Sequence, residues 1–405
     1  MHARACYNKS MANINDYLAW RGDVKIDSRH PFNDVDAMIL ARASYLPFDK
    51  IHMKRHETFR SIAEKMWDFK EANFLWPGDN ELIHRLGTSA RFKDMRVTDY
   101  VRRNDKKVEK QFSAITIHIN KGEMYLSYIG TDDTIVGWKE DFNLAILDVI
   151  PAQQEGVDYL KRMVMKYPFK RMRIGGHSKG GNVAMYAAVT APDIMQRRMI
   201  RVYNFDGPGL KAETEALDTG EKVLGKIHSF IPQDSIIGRL FEHTEGFTVV
   251  ESTSKNVYQH DIYSWKVERD SIVETEPTKR SVFIDKSLSN WIASAPIEDR
   301  KVFINGMYEI FDNNGINTPM DLIDNWSKHI PTILKALKDT PREKRDIIIG
   351  VWKKLFDSFV EVRGNDRKKE AAKKRAEREK KKAEKDFKNK VKRVEKKVAK
   401  RDAKK

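Results

Sequence analysis

The sequence predicts an α/β fold: a mostly parallel sheet covered by helices, followed by a C-terminal helical extension and a basic tail. Three observations point there. Short apolar runs of strand character recur from Gln111 to Glu251, helix-forming stretches separate them, and strand-like text stops after about Ser287. Taken in order, residues 34–47 carry Val35, Met38, Ile39, Ala41, Tyr45 and Leu46 at helical spacing, and further helical text covers Glu57–Asn73 and Glu81–Leu86. This N-terminal third is expected to cover one face and an edge of the sheet. Ala114–Ile119 and Met124–Ile129 flank Asn120-Lys121-Gly122-Glu123, a hairpin signal. A helix is predicted over Pro151–Lys166, a strand over Met172–Gly175 and a small-residue helix from Val183. Strands follow at Ile200–Phe205, Lys226–Ile231 and Phe247–Glu251. Near the C-terminal end, Thr340-Pro341-Arg342-Glu343 reads as a capping box opening a helix over Ile347–Val362, which Gly364-Asn365 closes.

Charge divides the chain. Residues 367–405 hold 21 Lys+Arg against 7 Asp+Glu, a net of +14 out of the formal +16, which leaves the body near neutral at +2. The organisation read from these shifts is a disordered lead-in over 1–12, an α/β body over 13–286, a helical extension over 287–364 and a basic helical or disordered tail over 365–405. The single cysteine, Cys6, excludes an intrachain disulfide and a cysteine-based zinc site. With no apolar run of transmembrane length and no signal-peptide core, a cytoplasmic protein is expected.

The chemistry concentrates at Gly176-His177-Ser178-Lys179-Gly180, a G-x-S-x-G pattern between a predicted strand and a predicted helix. In that context the pattern is the nucleophile elbow of an α/β-hydrolase-like sheet. The serine sits in a strained turn, Gly176 and Gly180 remove the side chains that would collide there, and the new helix turns unpaired N–H groups toward a developing oxyanion. A serine nucleophile needs a base and an acid that orients the base, in chain order Ser, Asp or Glu, His. Asp234 after the penultimate strand and His260 after the last one fit that order. Asp206 also ends a strand and is the competing acid, with Asp234 preferred. Among the other histidines, His243 reads as a surface residue beside Glu242, His177 is expected to point away from the pocket, and His118 and His228 lie within strands. The oxyanion donors are expected to be the backbone N–H of Lys179 and a group on Thr131, after the strand ending at Gly130. The Lys179 side chain is expected to point to solvent.

These residues carry a resemblance. Ile129-Gly130-Thr131, with Gly137-Trp138 and Asp141 after it, resembles the oxyanion strand of fungal-type lipases, and Gly176-His177-Ser178 with Gly180-Gly181 resembles their elbow, except that Lys179 stands where leucine is usual. From about Asn13 to Val267 the chain is similar to the Mbeg-like bacterial family, a lipase-like group. Tyr203–Gly209, Ile231-Pro232-Gln233-Asp234, Gln259-His260 and Ser264-Trp265 extend the likeness. The resemblance implies Ser178 as nucleophile, Asp234 as acid, His260 as base and Thr131 as oxyanion donor.

The reaction expected is hydrolysis of a carboxylic ester, lipid acyl ester or thioester through an acyl-enzyme, with no metal or other cofactor. The alternative is a non-catalytic hydrolase-fold module that binds a ligand while its tail tethers it. Residues 367–405 read most simply as a solvated helix. Their alternative partner is an anionic membrane surface, which would make the protein peripheral there. Nucleic acid is less favoured, because Phe387 is the only aromatic in the tail. A lid is expected in 207–225 or after Ser287.

Overall fold

The computed structural model describes residues 13–105, 107, 109–131, 139–141, 143–144, 146–211, 222–241, 243–316, 325–365 and 368. The expected lead-in, nearly all of the basic tail, most of the first lid candidate, and Gly137, Trp138 and Glu242 lie outside them.

Alternation at period two lays neighbouring side chains on opposite faces of a strand. Among the described residues, eight strands use it to build one sheet in chain order: β1 (Glu57–Thr58), β2 (Arg96–Asp105), β3 (Lys110–His118), β4 (Glu123–Ile129), β5 (Arg171–His177), β6 (Met199–Phe205), β7 (Ile227–Pro232) and β8 (Thr248–Val250). Strands β4 to β8 run parallel, whereas β1 to β4 pair antiparallel. The expected hairpin closes β3 on β4, with Ile117 opposite Tyr125. Strand β2 was not legible in the sequence. A bulge between Thr98 and Val101, with Asp99 at φ 55°, breaks its alternation, and its outer end, Arg102–Asp105, is exposed.

Each sheet face carries its own core. Ile115, Ile117, Tyr125, Tyr203 and Phe205 pack under the N-terminal helices α1 (Ile14–Arg21), α2 (Asp34–Ala43), α3 (Phe59–Lys65) and α4 (Asp79–Thr88). Ala114, Leu126, Tyr128 and Ile174 pack under α5 (Pro151–Lys166) and α6 (Lys179–Val189), with the short α7 (Asp193–Gln196) beyond. Helix α5 has the predicted bounds. Helix α3 is much shorter than the predicted 57–73 stretch: it starts at the Thr58 cap and ends at Lys65. The fold is α/β-hydrolase-like, with the carboxyl ends of β4 to β8 at one edge.

Helix α2 is buried along nearly its whole length, so its charged residues must be paired. The Arg42 guanidinium meets Asp79 at 2.5 Å, the Tyr263 hydroxyl donates to the same carboxylate, and the cation lies 4.7 Å from the centre of the Tyr45 ring. Asp36 accepts from Arg91 at 2.5 Å and from the Tyr17 hydroxyl. These pairs lock α1, α2 and α4 to one another and to the segment after β8.

C-terminal to the sheet, β9 (Val267–Glu268) and β10 (Ser271–Ile272) form a small antiparallel ribbon. Helix α8 (Lys279–Ser294) spans the expected boundary at 286/287. Helices α9 (Ile297–Asn313), α10 (Trp326–Asp339) and α11 (342–365) then gather around a separate small core of Met307, Ile310, Phe311, Ile316, Ile333 and Ile348. The predicted capping box is not formed. The Thr340 hydroxyl donates backward to the Ala336 carbonyl, closing α10, and α11 runs through Gly364 without ending there. No helix among the described residues is long and apolar enough to cross a membrane.

Removing one partner of the Arg42–Asp79 pair strands a buried charge. Asp79→Ala is expected to cost about 3–5 kcal/mol of stability, read from the urea midpoint.

Candidate active site

Strand β5 delivers Ser178 to the carboxyl edge, and its neighbours dictate how. Ser178 has φ 59° and ψ −136°, a region that side-chain-bearing residues rarely enter, and α6 starts at the next residue. A Cβ on Gly180 would lie 2.2 Å from the Tyr128 carbonyl oxygen, and one on Gly176 would lie 2.4 Å from that oxygen and from the Gly180 carbonyl carbon. Both positions therefore require glycine: the backbones of β4, β5 and α6 touch there. The predicted elbow is present. Lys179 is the first residue of α6, so its N–H has no acceptor within the helix.

Strand β6 ends beside the elbow, where the Ser178 N–H donates to the Phe205 carbonyl. Asp206 follows at φ 52°, its carboxylate almost wholly buried. One carboxylate oxygen accepts from the Ser235 hydroxyl at 2.5 Å; the other lies 2.6 Å from His260 Nδ1. His260 thus meets Asp206 and not the expected Asp234. That carboxylate accepts from the Thr278 hydroxyl at 2.7 Å, from Arg280 at 3.2 Å and from the Asn256 N–H at 3.3 Å. Asp234 thus ties the start of α8 to the turn that carries His260. Asp206 makes the contact from the end of β6, which adjoins β5, whereas Asp234 follows β7, one strand further out.

The His260 turn is braced from several sides. Trp265 Nε1 donates to the Gln259 carbonyl, and Gln259 Oε1 accepts from the Asp234 N–H. His177 Nε2 donates to the His260 carbonyl at 2.7 Å, and the two rings lie 4.4 Å apart. Burial pushes the His177 pKa well down, so this imidazole is a neutral strut. Its side chain packs against the His260 ring, an arrangement that adjacency to Ser178 did not reveal. His243 is not a surface residue: it is buried, between the Glu245 carboxylate and the Gly238 carbonyl. His118 and His228 lie in β3 and β7 as expected.

Opposite His260, the end of β4 presses on Ser178. A Cβ on Gly130 would stand 3.1 Å from Ser178 Cβ. The Gly130 N–H donates to the buried Tyr45 hydroxyl at 2.8 Å, which in turn donates to the His177 carbonyl at 3.1 Å. The Thr131 hydroxyl reaches both Asp141 oxygens, at 2.6 and 2.7 Å. Asp141 keeps about a third of its side chain exposed (36%), yet the surrounding protein raises its pKa to about 6.

The Lys179 side chain reverses its expectation. It is buried, not solvent-pointing: Nζ meets a Glu140 oxygen at 2.8 Å and Gln111 Oε1 at 2.7 Å. Glu140 is itself buried and reaches this position from 39 residues away in the chain. Among the described residues, no group of three or more His, Cys, Asp or Glu side chains forms a metal-binding cluster.

Two predictions follow from the geometry. The Ser178 strain belongs to its Cβ, so Ser178→Gly is expected to be more stable than Ser178→Ala by about 1 kcal/mol, read from urea midpoints, the reverse of the usual order. The folded state holds the Asp141 proton more tightly than the unfolded chain, whose carboxyl titrates near ~4. Its stabilising contribution is complete below that value and is lost as pH rises through about 6. Urea midpoints between pH 4 and 7 are expected to decline less in Asp141→Asn than in the wild type.

No curated protein matches the chain. Solved structures similar to it include a fungal lipase (14% identity, 65% of this chain and 91% of that one, TM-score 0.34). Others are the M37 lipase (16%, 51% and 70%, TM-score 0.33) and lipase II from Rhizopus niveus (11%, 60% and 82%, TM-score 0.32). The Mbeg1-like family model matches residues 86–309, more than half of the chain and the part that holds every residue of the candidate site except Tyr45. The chain belongs to the Mbeg1-like family.

Proposed function

We propose that this protein is a serine hydrolase that cleaves carboxylic esters through an acyl-enzyme on Ser178, with His260 as base and Asp206 as its orienting acid. The observation that carries the reading is the 2.6 Å contact between His260 Nδ1 and a buried Asp206, on the strand end next to a serine at positive φ. Asp206 keeps the proton on Nδ1, which leaves Nε2 as the acceptor nitrogen. Ser178 Oγ gives its proton to Nε2 and bonds to the ester carbonyl carbon. The carbonyl oxygen becomes the oxyanion, stabilised by the backbone N–H groups of Lys179 and Thr131. Collapse breaks the carbon–oxygen bond to the alcohol, which takes the proton from His260. Water then repeats the sequence and releases the acid. The basic tail would hold the enzyme at an anionic lipid surface, at about 1 kcal/mol for each Lys or Arg close to it.

Labelling with a fluorophosphonate tests the assignment. Wild type is expected to label, and Ser178→Ala and His260→Ala to stay blank. Asp206→Asn is expected to lose about 10³–10⁴-fold in rate, by analogy with loss of a triad acid. Asp234→Asn, if folded by circular dichroism, is expected to stay within about tenfold of wild type, its loss falling on stability. A folded wild type that does not label would overturn the proposal, and loss confined to Asp234→Asn would return the acid to that residue.

A further inference from the structure

Lys179 is an unusual residue to find buried directly after a nucleophile. Its ammonium group sits among three elements that share no sequence neighbourhood: α6, the start of β3 at Gln111, and the helical segment 139–141. An unpaired ammonium there would be strongly disfavoured, so its partners are held as firmly as it is. Both partners lead to the oxyanion loop.

The first route runs through Gln111. Its Oε1 accepts from Lys179 Nζ at 2.7 Å, and its Nε2 donates to the Gly130 carbonyl at 3.4 Å. Anchoring Oε1 fixes which way the amide faces, and therefore where the donor points. The Gly130 carbonyl and the Thr131 N–H belong to one trans peptide, in which they point in opposite directions. Holding the carbonyl toward Gln111 therefore aims the Thr131 N–H the other way. The Tyr45 hydroxyl, accepting from the Gly130 N–H, secures the preceding peptide.

The second route runs through the 139–141 segment. Glu140 accepts from Lys179 and from the Gln111 N–H with one oxygen, and from the Ala152 N–H at the start of α5 with the other. That fixes the neighbouring Asp141, whose carboxylate lies 3.8 Å from Lys179 Nζ and holds the Thr131 hydroxyl. One buried cation thereby governs both the backbone and the side chain of Thr131.

We infer that Lys179 is a positioning residue that pre-organises the Thr131 oxyanion donor from beneath, through Gln111 and the Glu140–Asp141 pair. This rests on the proposed ester hydrolysis for its consequence in rate, though not for the geometry. Donors aimed in advance at developing charge act only in the transition state. Disturbing them lowers kcat and leaves KM nearly unchanged.

The test is a double-mutant cycle between Lys179→Met and Thr131→Val in the full chain, read by fluorophosphonate labelling rate and by kcat and KM on a short-chain p-nitrophenyl ester. Lys179→Met is expected to lose about 10²-fold in kcat, the scale of one oxyanion donor. Adding Thr131→Val to it is expected to cost far less than Thr131→Val costs wild type, because the first change has already released that residue. Glu140→Gln supplies the same comparison if Lys179→Met does not fold. A second readout needs no catalysis: the Asp141 carboxyl titration followed by carbon-13 NMR. Among the described residues the groups acting on Asp141 include Lys179, Thr131, Glu140, His260 and Tyr45. Loss of the Lys179 cation alone is expected to raise the midpoint by about one unit. Additive losses in the cycle, or an Asp141 midpoint unmoved by Lys179→Met, would overturn the inference. If wild type does not label while the midpoint shifts, the ester-hydrolase reading fails and the positioning stands.

Discussion

The close approach of three backbones at Gly176 and Gly180 is the constraint on which the site depends. With no side chain at either position, β4 and α6 can press against the end of β5. Their contact holds the residue between them in a turn at positive φ. That turn lifts the Ser178 side chain out of the sheet edge while α6 begins immediately behind it. The Gly130 backbone is brought against Ser178 by the same packing, because the Tyr128 carbonyl that excludes a Cβ at Gly180 lies just two residues before it.

Two layers of support surround this contact. On one side, Asp206 and His177 hold His260 by its ring and by its carbonyl, while Trp265, Gln259 and Asp234 hold its turn. On the other, Tyr45, Gln111 and Asp141 hold Gly130 and Thr131. The two sides meet at His177, which contacts both Tyr45 and His260. Buried charge recurs throughout this scaffold, at Arg42–Asp79, Arg91–Asp36 and Lys179–Glu140. Such pairs add little net stability but penalise any packing that separates them. They suit a structure whose task is to fix polar groups in place.

The elbow was legible in the sequence because its requirement is local and steric: glycines at fixed offsets, with a strand before and a helix after. The hairpin before β4 and helix α5 were legible for similar reasons. The acid was not. Asp206 and Asp234 both follow strands, and only strand adjacency together with the distant Thr278 and Arg280 separates their roles. The burial of Lys179 was hidden for the same reason, since Glu140 reaches it across the fold. Strand β2 was masked by its bulge and exposed arginines. The Thr340 cap failed because its hydroxyl found an acceptor in the preceding helix. What the sequence concealed were the long-range partners.

A crystal structure of the chain after reaction with a fluorophosphonate tests the account most directly. It predicts a covalent bond from phosphorus to Ser178 Oγ, with the phosphonyl oxygen between the N–H groups of Lys179 and Thr131 and His260 Nδ1 still on Asp206. A bond to another residue would contradict it. So would a phosphonyl oxygen left in solvent while the Gly130–Thr131 peptide faces away.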